Sequence, residues 1–242
     1  PGFRGDVAYV SSFDMHVHAL RRSDGATLWR CFVGDFIASS PAVDDEGRVF
    51  VGAFDGSIVA IDGDRGRILR RRPTGGPVYA SAAITPDGAL CIGSGDGTIR
   101  SLDRATGEPR WTFCTGAGVR ASVAVGPDPE GAEEFLLYVG DADGTLHALD
   151  PAGHSRWSYR AGRGADVTFT GINASPALGD HGLCVACADG DVVYLPYDAY
   201  LRFPESFEVR SARARPAAAR AVALSAVGAR MGGGGGTLRP GE

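Results

Sequence analysis

Four sets of residues have types and spacings that could do chemistry. Cys184 and Cys187 form a Cys-x-x-Cys pair, the arrangement of a dithiol redox centre or of half a zinc site. His16 and His18 place two imidazoles on one face of a strand, a candidate metal pair. Asp141-x-Asp143-Gly144 reads like the opening of a calcium loop. Tyr79, Arg120 and Asn173, with Asp35 and Asp166 in the loops ahead of equivalent segments, supply an aromatic ring, a guanidinium, an amide and two carboxylates. Converging, such groups would bind an anion or a peptide carboxylate.

The surroundings weaken the first three. Residues three apart on a strand point to opposite faces, and no second Cys-x-x-Cys or nearby His pair completes a zinc site around Cys184 and Cys187. A calcium loop of the EF-hand type needs Gly sixth and Glu twelfth; here Gly144 comes fourth and no Glu follows, so the segment reads as a tight turn. The slot of His18 is filled by Val59, Arg100, His147 and Val193 in related segments, the pattern of a solvated, variable position. Asn173-Ala174-Ser175 matches a glycosylation acceptor, but Pro176 and an expected inner-strand location count against its use.

Those related segments are the elements that must position everything else. Tyr9 to Leu20, Phe50 to Asp62, Cys91 to Asp103, Tyr138 to Asp150 and Cys184 to Leu195 each read as strand, turn centred on Asp, strand. The turn residues Asp14, Asp55 and Asp96 are 41 residues apart, and the step lengthens to 47 and 46 at Asp143 and Asp189. Asp-Gly pairs at 55/56, 96/97, 143/144 and 189/190 supply the positive φ that a tight hairpin requires, so the flanking strands are antiparallel neighbours. Asp14-Met15 replaces the pair in the first copy, which predicts a different or strained turn there. Trp29, Trp111 and Trp157, with Arg70 in the second copy, each precede a Gly by five residues and mark an outer strand with its exit loop. A small-residue strand follows: 39–43, 80–84, 121–125 and 174–178. Small side chains suit the innermost strand, where blades converge on an axis.

A period in the forties, four short strands per unit and no helical stripe predict an all-β propeller of four-stranded antiparallel blades. The composite of Ala-Ser-Pro-Ala, Val-Gly-x-x-Asp-Gly-x-Leu-x-Ala-Leu-Asp, Thr-Gly and Trp resembles the pyrroloquinoline-quinone-like (PQQ-like) repeat of quinoprotein dehydrogenase-type propellers over about residues 6 to 200. That resemblance implies the propeller fold. The group includes quinone-dependent alcohol and glucose dehydrogenases, an outer-membrane assembly lipoprotein, and propeller modules of kinases and acyl-activating enzymes, so it implies no single activity. In the dehydrogenases a quinone lies in the central funnel on a Trp floor, often beneath a vicinal Cys-Cys disulfide, with calcium held by Glu, Asn or Asp and an Asp as base. This chain has no adjacent Cys pair, all its Trp fall at the blade-exit position, and Asn173 is its only Asn. The five turn Asp sit on separate blades and do not pool the six or more oxygens that calcium takes.

Composition narrows the field further. Of 242 residues, 44% are hydrophobic, enough for one sizeable domain. All 24 basic residues are Arg, which removes any mechanism that needs a Lys amine, whether Schiff base, nucleophile or phosphate-loop ammonium. Six Arg and one acid fall in residues 210–242, leaving 18 Arg against 28 acids in the body, a charge that argues against nucleic acid. Five cysteines make no disulfide framework; Cys91 and Cys184 share one apolar strand slot and read as small core residues. No apolar run is long enough to span a bilayer. Pro1 stands where Met would and no basic-then-apolar leader follows, so the start is expected to have been removed by processing or truncation, and the compartment is not legible.

The repeats occupy 1–205 and encode about four and a half to five blades, because copy one lacks a recognisable inner strand and copy five an outer one. Either residues outside the chain complete the ring or Ser206–Arg210 close it, and an unclosed ring would invite self-association through its edges. The remainder of 206–242, rich in Ala, Arg and Gly, reads as a flexible tail. A site, if present, lies at the funnel mouth around Tyr79, Arg120, Asn173, Asp35 and Asp166. The expected function is therefore a non-catalytic propeller, without cofactor, that binds a protein or small ligand at that face as a scaffold or sensor. The alternatives are a dehydrogenase whose catalytic parts lie outside this chain, with PQQ and calcium, and a module of a larger kinase or acyl-activating enzyme.

Overall fold

The computed structural model describes residues 1–161 and 171–209. Blade one is a four-stranded sheet of β1 (Gly2–Arg4), β2 (Val7–Ser11), β3 (His16–Arg21) and β4 (Thr27–Phe32). Blade two contains β5 (Ala42–Val43), β6 (Arg48–Gly52), β7 (Ser57–Asp62) and β8 (Ile68–Pro73). Blade three contains β9 (Ala83–Ile84), β10 (Ala89–Ser94), β11 (Thr98–Asp103) and β12 (Pro109–Cys114). Blade four holds β13 (Ala124–Gly126), β14 (Leu136–Gly140), β15 (Thr145–Leu149) and β16 (Ser155–Arg160). Blade five has three strands, β17 (Ala177–Leu178), β18 (Gly182–Ala186) and β19 (Val192–Pro196). A short helix, α1 (Ala199–Arg202), then leads to β20 (Glu208–Val209), which pairs antiparallel with β16. Among the described residues the sheets do not close into a ring.

Two expectations change here. Gly2–Arg4 form the inner strand of blade one, paired with Val7–Tyr9, although Gly-Phe-Arg carries no small-residue signature. Of the two ways to complete the ring, a closing strand from Ser206–Arg210 is not what the described part of that segment forms: β20 widens blade four at its outer edge. The reason is aromatic packing: Trp157 stacks on Tyr200 at 5.8 Å and meets Phe207 edge-on at 5.3 Å, drawing the segment after blade five back across blade four.

The turn chemistry follows the repeat. Gly56, Gly97, Gly144 and Gly190 have φ of +82°, +81°, +81° and +92°, and Met15 in the same slot is forced to +68°, the one non-Gly residue with positive φ among those described. A bulge recurs in the third strand of blades one to four, at Ala19/Leu20, Ala60/Ile61, Ser101/Leu102 and Ala148/Leu149, opposite the Trp or Arg70 region. Trp29 donates its indole N–H to Gly63 O of blade two and Trp111 to Pro151 O of blade four, each at 2.9 Å, so the outer-strand indoles tie one blade to the next.

Strand alternation gives blades two to four two packed faces each, and blades one and five one. Val17 and Ala19 of blade one pack with Val59 and Ile61 of blade two; Ile58 and Ala60 pack with Leu90 and Leu102 of blade three. Ile99 meets Leu149 of blade four, and Leu146 and Ala148 meet Leu195 of blade five. All of these are buried. At the end of the array, Val192 and Tyr194 of blade five are exposed.

Candidate functional site: an aromatic patch on the funnel face

The innermost strands are only two or three residues long, shorter than the small-residue runs that precede and include them. The Ser ahead of each strand is committed to the neighbouring blade. Ser40 N–H donates to Ser81 Oγ at 2.8 Å, Ser81 N–H to Ser122 Oγ at 2.9 Å, and Ser122 N–H to Ser175 Oγ at 3.1 Å. This relay links blades two to five at their inner ends. It also fixes Ala38, Tyr79, Arg120 and Asn173, each two residues earlier in the chain.

Hairpin turns are clipped to these lead-in segments on both sides. Phe54 N–H donates to Phe36 O at 3.0 Å, and Val78 N–H to Ala53 O at 3.0 Å. Blades three and four repeat the bonds: Gly95 to Pro77 and Val119 to Ser94, then Ala142 to Gly118 and Ile172 to Asp141. The turn of one blade, its own lead-in and the next blade's lead-in are thereby held side by side.

In blades one and two and in the lead-in to blade three, positions at or beside these clips carry aromatic rings. Phe13 and Phe54 occupy the slot before the turn Asp, and Phe36 and Tyr79 lie in the lead-ins. Phe13 is 5.8 Å from Phe36 and 5.9 Å from Phe54; Phe36 and Phe54 are 6.1 Å apart; Phe54 and Tyr79 are 4.9 Å apart, all edge-to-face. The Arg120 guanidinium then sits 5.4 Å from the Tyr79 ring centroid, a cation–π contact. Phe13 is 61% and Phe36 42% exposed, so the cluster is a surface and not part of a core. Later copies hold Gly95, Ala142 and Ala188 in the Phe13 slot and Pro77, Gly118 and Gly171 in the Phe36 slot. Among the described residues the contiguous apolar patch is therefore confined to one sector of the face.

Of the residues expected at the funnel mouth, Tyr79 and Arg120 do come together. Asn173 is exposed and takes no part in their contact. Asp35 lies beside Phe36, whose backbone N–H it accepts at 2.7 Å. Asp166 lies outside the described residues. Neither Asp35 nor Arg120 has an ion-pair partner among the described residues. Phe13, Phe36 and Phe54 had one signal in the sequence: large rings in slots that are Gly, Ala or Pro in every later copy.

The turn carboxylates serve the turns. Arg100 pairs with Asp96 at 2.7 Å, Arg71 with Asp55 at 2.9 Å, and His18 with Asp14 at 2.9 Å. In blade four the role falls to Asp141, which accepts the N–H groups of Asp143 and Thr145 and contacts His147 Nε2 at 2.8 Å. Burial raises the Asp96 carboxyl's tendency to hold its proton, but hydrogen bonds from Arg100 and Thr98 more than offset it and leave the group well below the usual carboxylate range. The two N-terminal imidazoles are both engaged by Asp14, His16 Nδ1 lying 2.7 Å from Asp14 O. They lie half-buried where full solvation was expected. Among the described residues no three metal-ligating side chains form a cluster.

Neither Cys187 nor Cys91 is poised for thiolate chemistry. Cys187 is buried and its pKa is pushed up to about 11 by desolvation, with Asp189 and Asp191 adding to the effect; burial does the same to Cys91. A raised value is the opposite of what a reactive thiolate needs. Trp29, Trp111 and Trp157 lie on the fourth strands of their blades, far along each sheet from the inner strands. None of the three Trp therefore stands among the described funnel residues as a floor for a quinone.

The family whose model is described as outer membrane protein assembly factor BamB matches residues 1–77 and 69–198. Among solved structures, BamB from Moraxella catarrhalis aligns with a TM-score of 0.66 at 24% identity, covering 81% of this chain and 56% of that one. The computationally designed Ika8 protein aligns at 0.65 with 20% identity, covering 80% of this chain and 56% of its own. The chain thus spans a little over half the length of these structures, and the likeness is one of fold. No curated protein sequence matches it. No described helix is long and apolar enough to cross a membrane.

Proposed function

The chain belongs to the outer membrane protein assembly factor BamB family of PQQ-like repeat propellers, and on that premise we propose that it is a non-catalytic scaffold that binds a protein partner through its funnel face. One observation carries the reading. Phe13, Phe36, Phe54 and Tyr79 form a continuous aromatic surface, partly exposed and ended by Arg120, although the slots of the three Phe hold only Gly, Ala and Pro in the later copies. Exposed aromatic and Arg side chains held rigidly together are the composition of protein-binding hot spots. An assembly factor, the family's description, is a role carried by contacts with another protein.

A photo-crosslinking residue placed at Phe13 or Phe36 in the protein in its native cell is the test, with Leu69, an exposed apolar position on β8, as the control. A discrete crosslinked polypeptide from positions 13 and 36, absent from 69, is the expected result. Equal labelling from all three, or none, would sink the proposal. Titration with quinone plus calcium should leave the melting temperature unchanged; stabilisation reversed by a chelator would favour the dehydrogenase alternative.

A further inference from the structure

The patch has a direction, and that direction describes its occupant. Contacts run from Asp35 to the adjacent Phe36, then 6.1 Å to Phe54, 4.9 Å to Tyr79 and 5.4 Å to the guanidinium of Arg120. Phe13 lies against both Phe36 and Phe54 and broadens the apolar middle. A carboxylate thus stands at one end of the aromatic row and a guanidinium at the other, neither in an ion pair among the described residues. Most nearby charges are already used: Asp14 by His18, Asp55 by Arg71, Asp96 by Arg100.

We infer that this row binds a polypeptide segment bearing two or three apolar side chains on one face, with a carboxylate at the end that meets Arg120 and a cation at the end that meets Asp35. The inference rests on the scaffold reading above and names the chemistry of its partner. The ring-to-ring steps match the spacing of side chains on one face of a peptide, about 5–7 Å whether helical or extended. A phosphate-rich partner fits poorly: the row offers one guanidinium against Asp35, on a body with 28 acids and 18 Arg. Oppositely charged ends fix the segment's direction, because reversing it would set like charges together.

The test is selection of a displayed library of random twelve-residue peptides on the whole chain, followed by affinity measurement of the enriched peptides. Enriched sequences should carry an apolar centre between an acidic and a basic end. They should bind the Phe13→Ser/Phe36→Ser double variant roughly tenfold or more weakly, since both rings are exposed and leave the fold intact, as an unchanged melting temperature will show. Arg120→Glu should reverse the preference at one end, weakening acid-ended peptides about tenfold and strengthening base-ended ones. Peptides that lack the charge pattern, or that bind the double variant as well as the native protein, would overturn this inference while leaving a scaffold that uses another surface. No enriched sequence together with no crosslink from positions 13 and 36 would overturn both.

Discussion

The blade-to-blade indole contacts can be tested at a single methyl group. Gly66, in the loop after β7, has φ of +66°, and a Cβ built there would lie 2.5 Å from Cδ2 of Trp29, 2.7 Å from Cε3 and 2.8 Å from Cγ. Gly25 has nearly the same conformation, φ +73°, with nothing within 4 Å of its Cβ position. Gly25→Ala therefore reports the left-handed backbone penalty alone, about 1–2 kcal/mol. Gly66→Ala adds displacement of the indole, a close-packing clash of about 1–3 kcal/mol and the lost hydrogen bond to Gly63 O, about 1 kcal/mol. The expected total is about 3–6 kcal/mol. Urea unfolding followed by circular dichroism gives both values. In a Trp29→Ala background the Gly66→Ala cost should fall to about that of Gly25→Ala, a coupling of about 2 kcal/mol or more. Equal costs for the two glycines, or no change on removing Trp29, would refute the claim that the indole and this loop form one packed joint.

Three further outcomes are expected. Hydrogen bonds to the backbone and side chain of Thr106 hold the Asp103 carboxyl down to about 2, and Asp96 is also lowered, so both contribute stability that is complete above about pH 4 and is lost as pH falls through the folded values. Melting temperature measured from about pH 6 down to pH 2 should therefore fall more steeply for the native protein than for Asp103→Asn. Ser81→Ala removes the acceptor of Ser40 N–H, at a cost of about 1 kcal/mol, and should speed hydrogen exchange at Ser40 while leaving the outer strands protected. Alkylation of the folded protein near pH 8, read by mass spectrometry, should modify exposed Cys114 well before buried Cys91 and Cys187; early loss of Cys187 would contradict its placement.

What could be read from the sequence depended on how local its cause is. An Asp-Gly turn needs only its own φ, so the hairpins at 55/56, 96/97, 143/144 and 189/190, and the strain at Met15, were legible before any fold was known. The inner strand Gly2–Arg4 was not, because its identity comes from pairing with Val7–Tyr9 and from no feature of Gly-Phe-Arg itself. β20 was legible as a strand but not as a neighbour of β16, since Trp157, Tyr200 and Phe207 meet only in three dimensions. At the candidate site, Tyr79 and Arg120 emerged from their slot in the repeat, whereas the partners that make them a surface come from two other slots. Comparing copies by slot finds the residues; only the clips from Phe54 to Phe36 and from Val78 to Ala53 show that the slots touch.

The two packed faces of blades two to four bear on how such a chain could grow. The face of blade two that meets blade one, with Val59 and Ile61, corresponds in the repeat to the face of blade five that meets blade four, with Val193 and Leu195. Blades two, three and four thus each carry a complementary pair of surfaces in a fixed order, like a brick with a tongue and a groove. Copying a unit copies both halves of the joint, so the array can gain a member in one genetic step without waiting for a new interface to evolve. Drift afterwards is free wherever the joint is not, which is how one sector can acquire phenylalanines while its siblings keep glycine.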